Sequence, residues 1–274
     1  MSAEHEEISF ADFEQYFPYA PTALCIKECA RLTALRRYDC PEPILDVGCG
    51  DGLFAQIAFS GREIWGIDID ASEGRLAHKR ATYAQIVLGD VTRAQMPNGF
   101  FASCVANCSL EHIPRIGDAL SNIRRSLRPG AEAFLFVPNK EWASHMLLPR
   151  ALAAMGFSSM ARAVQQKVDS VFKHHHLYDE EGWRRLAVEA GFEVVSIEPV
   201  LSTATTVAFE VLLPPSLLAL VNKKLTARWT NFPPLRKLAA LPAFAVARAA
   251  MTLGSSDPTA EFLVRVRRPM GDTP

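Results

Sequence analysis

The chain has 274 residues, 49% of them hydrophobic and 22% charged, with a formal net charge of −1. Such a chain can bury a sizeable core, which argues against global disorder, and its near-neutral balance argues against a nucleic-acid binder. The opening "MSAEHEEISFADFEQYF" is acidic and has no apolar run, so no signal peptide is read and a cytoplasmic location is expected.

Residues 1–40 read as one or two helices, ended by Pro41 and Pro43. An alternation follows: strand 44–47, helix 53–60 closed by Gly61, strand "EIWGID" to Asp68, helix 73–82, strand "AQIVLGD" to Asp90 and strand "ASCVAN" to Asn107. Helix 117–128 has Ile116, Leu120, Ile123 and Leu127 on one face and "RPG" as its stop, before strand "EAFLFVP" ends at Pro138. Beyond 139–178, "DEEGWRRLAVEAGF" reads as a helix capped by Asp179 and Gly191. Strands then follow at 192–200 and 259–268, the second with alternating arginines that suggest a wet face. Short strands alternating with helices predict an α/β, doubly wound, mostly parallel sheet. The expected organisation is a helical cap (1–40), a core (41–138), an insertion (139–178), a core helix and strand (179–200), a basic apolar insertion (201–258) and a final strand with its tail (259–274).

All six cysteines, Cys25, Cys29, Cys40, Cys49, Cys104 and Cys108, lie in the first 108 residues, and none forms a C-x-x-C pair. The repeated C-x-x-x-C spacing leaves a four-thiolate site open, but buried free thiols are the expected state.

In "PEPILDVGCGDGLFA", Gly48, Gly50 and Gly52 follow the first strand directly. They serve either a tight turn or the close approach of a ligand to the backbone. Two acids at later strand ends favour approach. Asp68, 18 residues beyond Gly50, is placed to accept from the hydroxyls of a ribose, and Asp90 from an adenine amino group. A dinucleotide fingerprint would need glycine at position 53, which is Leu53, so a nicotinamide dehydrogenase is disfavoured. No G-x-x-x-x-G-K-[ST] phosphate loop occurs.

With "ILDVGCGDG", "GIDID" at 66–70, "LGD" at 88–90, "NCSLEHI" at 107–113, "SLRPGA" at 126–131 and "EAGFEVV" at 189–195, the chain resembles the class I S-adenosylmethionine (SAM)-dependent methyltransferases. The resemblance implies a seven-stranded Rossmann-like sheet with an antiparallel last strand, helical insertions forming a lid, and S-adenosylhomocysteine (SAH) as product. It implies that Asp46, Gly48 and Gly50, with Cys49 and Asp51 on the turn, lie under the methionine part of SAM. Asp68 would then hold the ribose, Ile69 pack on the adenine, Asp90 and Val91 bound the base, and Asn107 and Cys108 line the wall beside the sulfonium. It also places Tyr16, Phe17 and Tyr19 in a flap, with helix packing as the alternative. Ala102, Asn122 and Ala131 depart from the family's usual residues.

For the acceptor, a high-pKa oxygen calls for a nearby base, and histidine suits neutral pH. The candidates are His112 and the triplet His174-His175-His176, from which His112 and His175 are taken as catalytic candidates. Three consecutive side chains diverge, so the triplet is not read as a metal site. Between Val211 and Leu253 there is no acid but six cations among apolar residues, and five prolines interrupt residues 214–242. A lid over an apolar acceptor, a face on an anionic membrane, and plain packing or homodimerisation all remain open. The expected function is methyl transfer from SAM to an oxygen, or a carbon, of a small apolar or lipid-linked molecule. A silent SAM-binding scaffold and a polar sugar or amine acceptor are the alternatives; no motif supports nucleic acid.

Overall fold

The computed structural model describes residues 8–226, 228–257 and 260–271. The expected start of the last strand at Thr259 and both chain ends lie outside the described residues. In chain order the elements are α1 (Phe10–Tyr16), α2 (Thr22–Leu35), β1 (Ile44–Val47), α3 (Leu53–Ala58), β2 (Ile64–Asp68), α4 (Ala71–Arg80), β3 (Gln85–Leu88) and β4 (Phe101–Asn107). A 3-10 turn (Leu110–His112) leads to α5 (Ile116–Ser126) and β5 (Leu127–Pro138). Then come α6 (Leu147–Ala154), α7 (Ser158–Phe172), α8 (Glu180–Glu189), β6 (Glu193–Pro199), α9 (Thr203–Val211), α10 (Leu213–Thr226), α11 (Pro233–Leu238), α12 (Ala240–Met251) and β7 (Glu261–Arg267).

The seven strands form one sheet in the order β3-β2-β1-β4-β5-β7-β6. Strands β1 to β5 pair in parallel, and β7 runs antiparallel between β5 and β6. All four residues of β1 are buried, as a central strand covered on both faces requires. Ile116, Ala119, Leu120 and Ile123 give α5 a buried stripe at helical spacing, packed into a core with Leu45, Leu135 and Trp183. Asp179 caps α8 as expected, its carboxylate accepting from the Gly182 N–H at 2.9 Å, and Gly191 adopts φ +83° beyond the helix end.

Two details differ from the sequence reading. Helix α5 stops at Ser126, and "RPG" already belongs to β5, because Leu127 pairs with Phe101 before a register shift restores the ladder at Ser103. The alternating arginines of β7 do not simply face water: Arg265 and Arg267 donate to Glu132 on β5 at 2.9 and 2.6 Å.

The chain divides into two units. One holds the sheet with residues 38–142, 166–199 and 261–274. The other is helical and combines residues 1–37, 143–165 and 200–260. Within the helical unit, Tyr16 and Phe17 are buried, Phe13 stacks on Phe17 at 5.3 Å, and the Arg236 guanidinium lies over the Phe17 ring at 4.3 Å. Tyr19 is exposed. Glu210 accepts from the Leu147 and Leu148 N–H groups, which satisfies the start of α6. Helices α9 to α12 lie between Thr203 and Met251. Helix α9 is buried almost throughout, whereas Leu218, Leu225, Leu235 and Leu238 of α10 and α11 are each more than two-thirds exposed. Among the described residues no single helix is long and apolar enough to cross a membrane.

Candidate active site

Strand order reverses between β1 and β4, and in an open parallel sheet that crevice, beyond the carboxyl ends of the strands, is where ligands bind. A cavity of about 420 Å³ opens there, within the range of small-molecule sites. Val47 and Gly48 line it from the end of β1, Asp68 and Ile69 from β2, and Asp90, Val91 and Thr92 from the loop after β3. Cys108, Ser109, His112 and Arg115 line it from the segment after β4.

The three glycines do different work. At Gly48, with φ +73°, a Cβ would stand 2.3 Å from the Ser109 Cβ, so this residue is glycine because the segment after β4 crosses it. Ser109 in turn donates from its hydroxyl to the Val47 carbonyl at 2.6 Å, tying the ends of β1 and β4 together at the cavity floor. Gly50 has φ +52° and nothing within 4 Å of its would-be Cβ, leaving open space above the turn. Gly52, with φ +78°, is covered by the Tyr83 ring.

Asp68 holds this turn in shape. Its carboxylate accepts from the Gly50 N–H and the Asp70 N–H, both at 2.8 Å, one bond on each oxygen. A carboxylate has about four lone-pair sites, so two remain for a diol. Asp90 accepts from the Thr92 N–H at 2.9 Å, and that bond holds its carboxyl below the usual carboxylate range. Ile69 is 75% exposed, an apolar side chain left at the cavity rim with nothing on it. These features suit an adenosyl ligand: a diol acceptor, a flat apolar rim, an acid at the base edge and an open glycine turn.

Not every expected residue reaches the cavity wall, and Gly50 does not line it either, meeting it only through its N–H bond to Asp68. Asp46 is buried and accepts from the Tyr83 hydroxyl at 2.7 Å, so it braces the floor from beneath. Cys49 is also buried, its sulfur against Gly66, and desolvation pushes its thiol well up. Asn107 is half-buried at the end of β4 and does not line the cavity. Tyr83, Ser109, Thr92 and Arg115 were not foreseen. Arg115 donates to the Thr92 hydroxyl at 2.7 Å and lies 3.9 Å from Asp90. Only Tyr83 left a signal, as an isolated aromatic just before the third strand. Asn122, one of the departures, is buried and donates to the Val91 and Ala94 carbonyls, closing the loop beneath Val91.

The histidine candidates separate clearly. His112 lines the cavity, and its Nδ1 lies 3.3 Å from the Lys173 carbonyl, which assigns the proton to Nδ1 and the lone pair to Nε2. Burial lowers its pKa, opposed by that bond. His175 is exposed and does not line the cavity, contrary to expectation; its N–H, with that of His176, donates to the Glu111 carbonyl. The member of the triplet that meets His112 is His174, with ring centroids 5.3 Å apart. The backbone hydrogen bonds of 175 and 176 fix the turn of the chain, and that turn decides which imidazole points inward.

All six cysteines are free thiols, five of them buried. Burial raises the Cys40 thiol to about 12 and pushes those of Cys25 and Cys104 well up, so these sulfurs are neutral packing groups.

Comparison with known proteins agrees with this geometry. A family model described as a methyltransferase domain matches residues 19–197. An uncharacterised methyltransferase of Mycobacterium tuberculosis is 39% identical over 90 residues, 32% of this chain and 46% of that protein. A ubiquinone biosynthesis O-methyltransferase of Alkalilimnicola ehrlichii is 30% identical over 111 residues, 38% of this chain and 44% of that one. The chain thus spans about half the length of these curated relatives. Among solved structures, a methyltransferase-like protein of Bacillus halodurans superimposes with a TM-score of 0.53 at 16% identity, over 88% of this chain and 98% of that one. Geranyl diphosphate C-methyltransferase of Streptomyces coelicolor, crystallised with SAH, gives 0.50 at 12% identity over 82% and 70%. Sheet order, switch-point cavity and family match converge: the chain belongs to the class I SAM-dependent methyltransferases.

Proposed function

We propose that the protein transfers the methyl group of SAM to an oxygen, or failing that a carbon, of a small apolar or lipid-linked acceptor. The observation that carries the reading is the cavity at the β1/β4 switch, lined by the half-satisfied Asp68 and the bare Ile69, with the open Gly50 turn tied to Asp68 beside it. In it Asp68 takes the ribose hydroxyls, Ile69 the adenine face, and Asp90 and Val91 the base edge. Gly48, Gly50 and Cys108 border the amino-acid portion. Asp46 and Cys49 support this arrangement from below, and Asn107 from the end of β4. SAM supplies an electrophile that is already activated, so the chain's own residues mainly align and desolvate. His112, in the same wall, faces the acceptor side and positions it.

The acceptor class rests on two supports. Curated proteins the chain partly matches include ones named ubiquinone biosynthesis O-methyltransferase and malonyl-[acyl-carrier protein] O-methyltransferase. The helical unit also exposes Leu218, Val221 and Leu225 on one face of α10, and Phe232, Leu235, Leu238 and Leu241 at every third position further on. Lys223, Lys224, Arg228 and Lys237 lie among them in a stretch with no acid from 211 to 253. Such a surface suits an anionic, greasy environment in which a lipid-linked acceptor would be met.

Calorimetry with SAM and SAH tests the first part. Binding by the native protein and a loss of at least about tenfold in Asp68→Ala is expected, since hydrogen bonds to a charged acceptor are worth roughly 1.5–3 kcal/mol each. No binding, or unchanged affinity in the variant, rejects the assignment. For the second part, co-sedimentation with phosphatidylglycerol vesicles is expected to exceed that with neutral vesicles and to fall in Leu225→Asp/Leu238→Asp; equal behaviour removes the membrane component.

A further inference from the structure

The sequence offers three adjacent histidines that diverge, and the fold replaces them with a different trio. One carboxylate oxygen of Glu111 and one ring nitrogen each of His112 and His174 lie within 4.8 Å of one another. The Glu111 Oε1 is 3.8 Å from the His112 Nε2. We infer that Glu111, His112 and His174 form a binding site for one divalent transition-metal ion at the rim of the cavity.

The two segments that supply the ligands are locked together by backbone. The His175 and His176 N–H groups both donate to the Glu111 carbonyl, at 2.8 and 3.1 Å. The His176 ring nitrogen Nε2 lies 3.0 Å from the Ile113 carbonyl. This clasp holds the His174 ring against that of His112, and the His112 Nδ1 bond to the Lys173 carbonyl adds to it while leaving the His112 Nε2 unused. Metal-binding histidines commonly spend their second nitrogen on a carbonyl or carboxylate, which fixes the ligating tautomer. His112 shows this arrangement, with Nδ1 on the Lys173 carbonyl and Nε2 toward Glu111. The His174 Nδ1 lies 3.6 Å from the Asp169 carboxylate, beyond hydrogen-bond reach but close enough for charge to act, and that carboxylate is held by the Trp142 indole N–H at 2.8 Å.

Burial is graded as an ion site requires. The Glu111 and His174 side chains are 2% and 8% exposed, whereas His112 is 41% exposed and leaves an entry path. A buried carboxylate beside two imidazoles is an electrostatic environment that a cation compensates. Donors around an ion at about 2.0–2.1 Å sit roughly 3–3.5 Å apart, so the widest pair of the trio needs to contract by up to about 1.5 Å. Two imidazoles and one carboxylate suit zinc, iron, manganese or cobalt rather than magnesium, which prefers oxygen ligands, and three protein ligands leave positions open. Because His112 also lines the cavity, an ion here would hold an oxygen-bearing acceptor in place. The side chains argue for the site independently of the methyl-transfer reading.

Cobalt(II) titration of chelator-stripped protein, followed by visible absorption and by metal analysis after gel filtration, provides the test. The expected result is one ion per chain with ligand-field bands. Both should be lost in His174→Gln and in Glu111→Gln and retained in His175→Ala. Asp169→Asn is expected to weaken binding about 10- to 100-fold, as outer-sphere changes do. Circular dichroism and SAM calorimetry on each variant separate loss of the ion from loss of the fold or of the cofactor site. No ion retained by the native protein, or retention unchanged in a folded His174→Gln, overturns the inference, the latter by assigning the metal to thiols elsewhere.

Discussion

Gly48→Ala and Gly50→Ala look equivalent in sequence, yet their surroundings predict opposite phenotypes. At Gly48 an added methyl meets two costs. A left-handed backbone disfavours any Cβ by roughly 1–2 kcal/mol. The methyl would also sit 2.3 Å from the Ser109 Cβ and 2.8 Å from its hydroxyl, forcing Ser109 off the Val47 carbonyl. Overpacking costs about 1–3 kcal/mol and the lost hydrogen bond about 1 kcal/mol, so the sum is on the order of 4 kcal/mol. At Gly50 only the backbone cost applies, about 1–2 kcal/mol, because no atom lies within 4 Å. At roughly 2 °C per kcal/mol for a chain of this size, the ligand-free proteins should melt about 8 °C and about 3 °C below the native protein. SAM affinity should order the folded variants differently: Gly50→Ala fills the space a ligand would enter and loses binding out of proportion to its stability. Adding Ser109→Gly should recover about half the deficit of Gly48→Ala, since the clash goes and the backbone cost stays. Scanning calorimetry paired with SAM titration reads both quantities. Equal melting of the two alanine variants, or no recovery in the double variant, would refute the reasoning.

Two further outcomes follow from the sheet unit. Tyr83→Phe removes the hydroxyl that donates to Asp46 at 2.7 Å and leaves that buried carboxylate short of a donor, so denaturant titration should show a loss of about 1–3 kcal/mol with the sheet retained by circular dichroism. Burial pushes the Glu132 carboxyl up, but hydrogen bonds from Arg267 and Arg265 outweigh it and its pKa falls below the ordinary value. A depressed carboxylate contributes stability above its unfolded pKa and loses it as the pH drops through the folded one. Melting temperature should therefore fall steeply below about pH 4.5. Glu132→Gln should flatten that acid limb, and an unchanged limb would assign it to other groups.

The local order of the sheet unit was legible because it is written in short-range physics. Apolar runs broken by turn residues gave β1 to β4 and α5, and Asp179 with Gly191 bracketed α8 through capping and left-handed geometry. The motifs at 46–50, 68–69 and 90–91 could be read as one site because parallel strands bring their carboxyl ends to one edge of the sheet, whatever the loops between them do. Contacts between distant segments were not legible. That Gly48 answers to Ser109, that the Tyr83 hydroxyl donates to Asp46, and that Glu132 gathers two arginines of β7 each joins segments far apart in sequence. The histidines show the boundary most sharply. Sequence could say that three adjacent imidazoles diverge, since neighbouring side chains point apart. Which of them turns toward His112 depends on two backbone hydrogen bonds to Glu111, more than sixty residues away, and only the folded chain makes them.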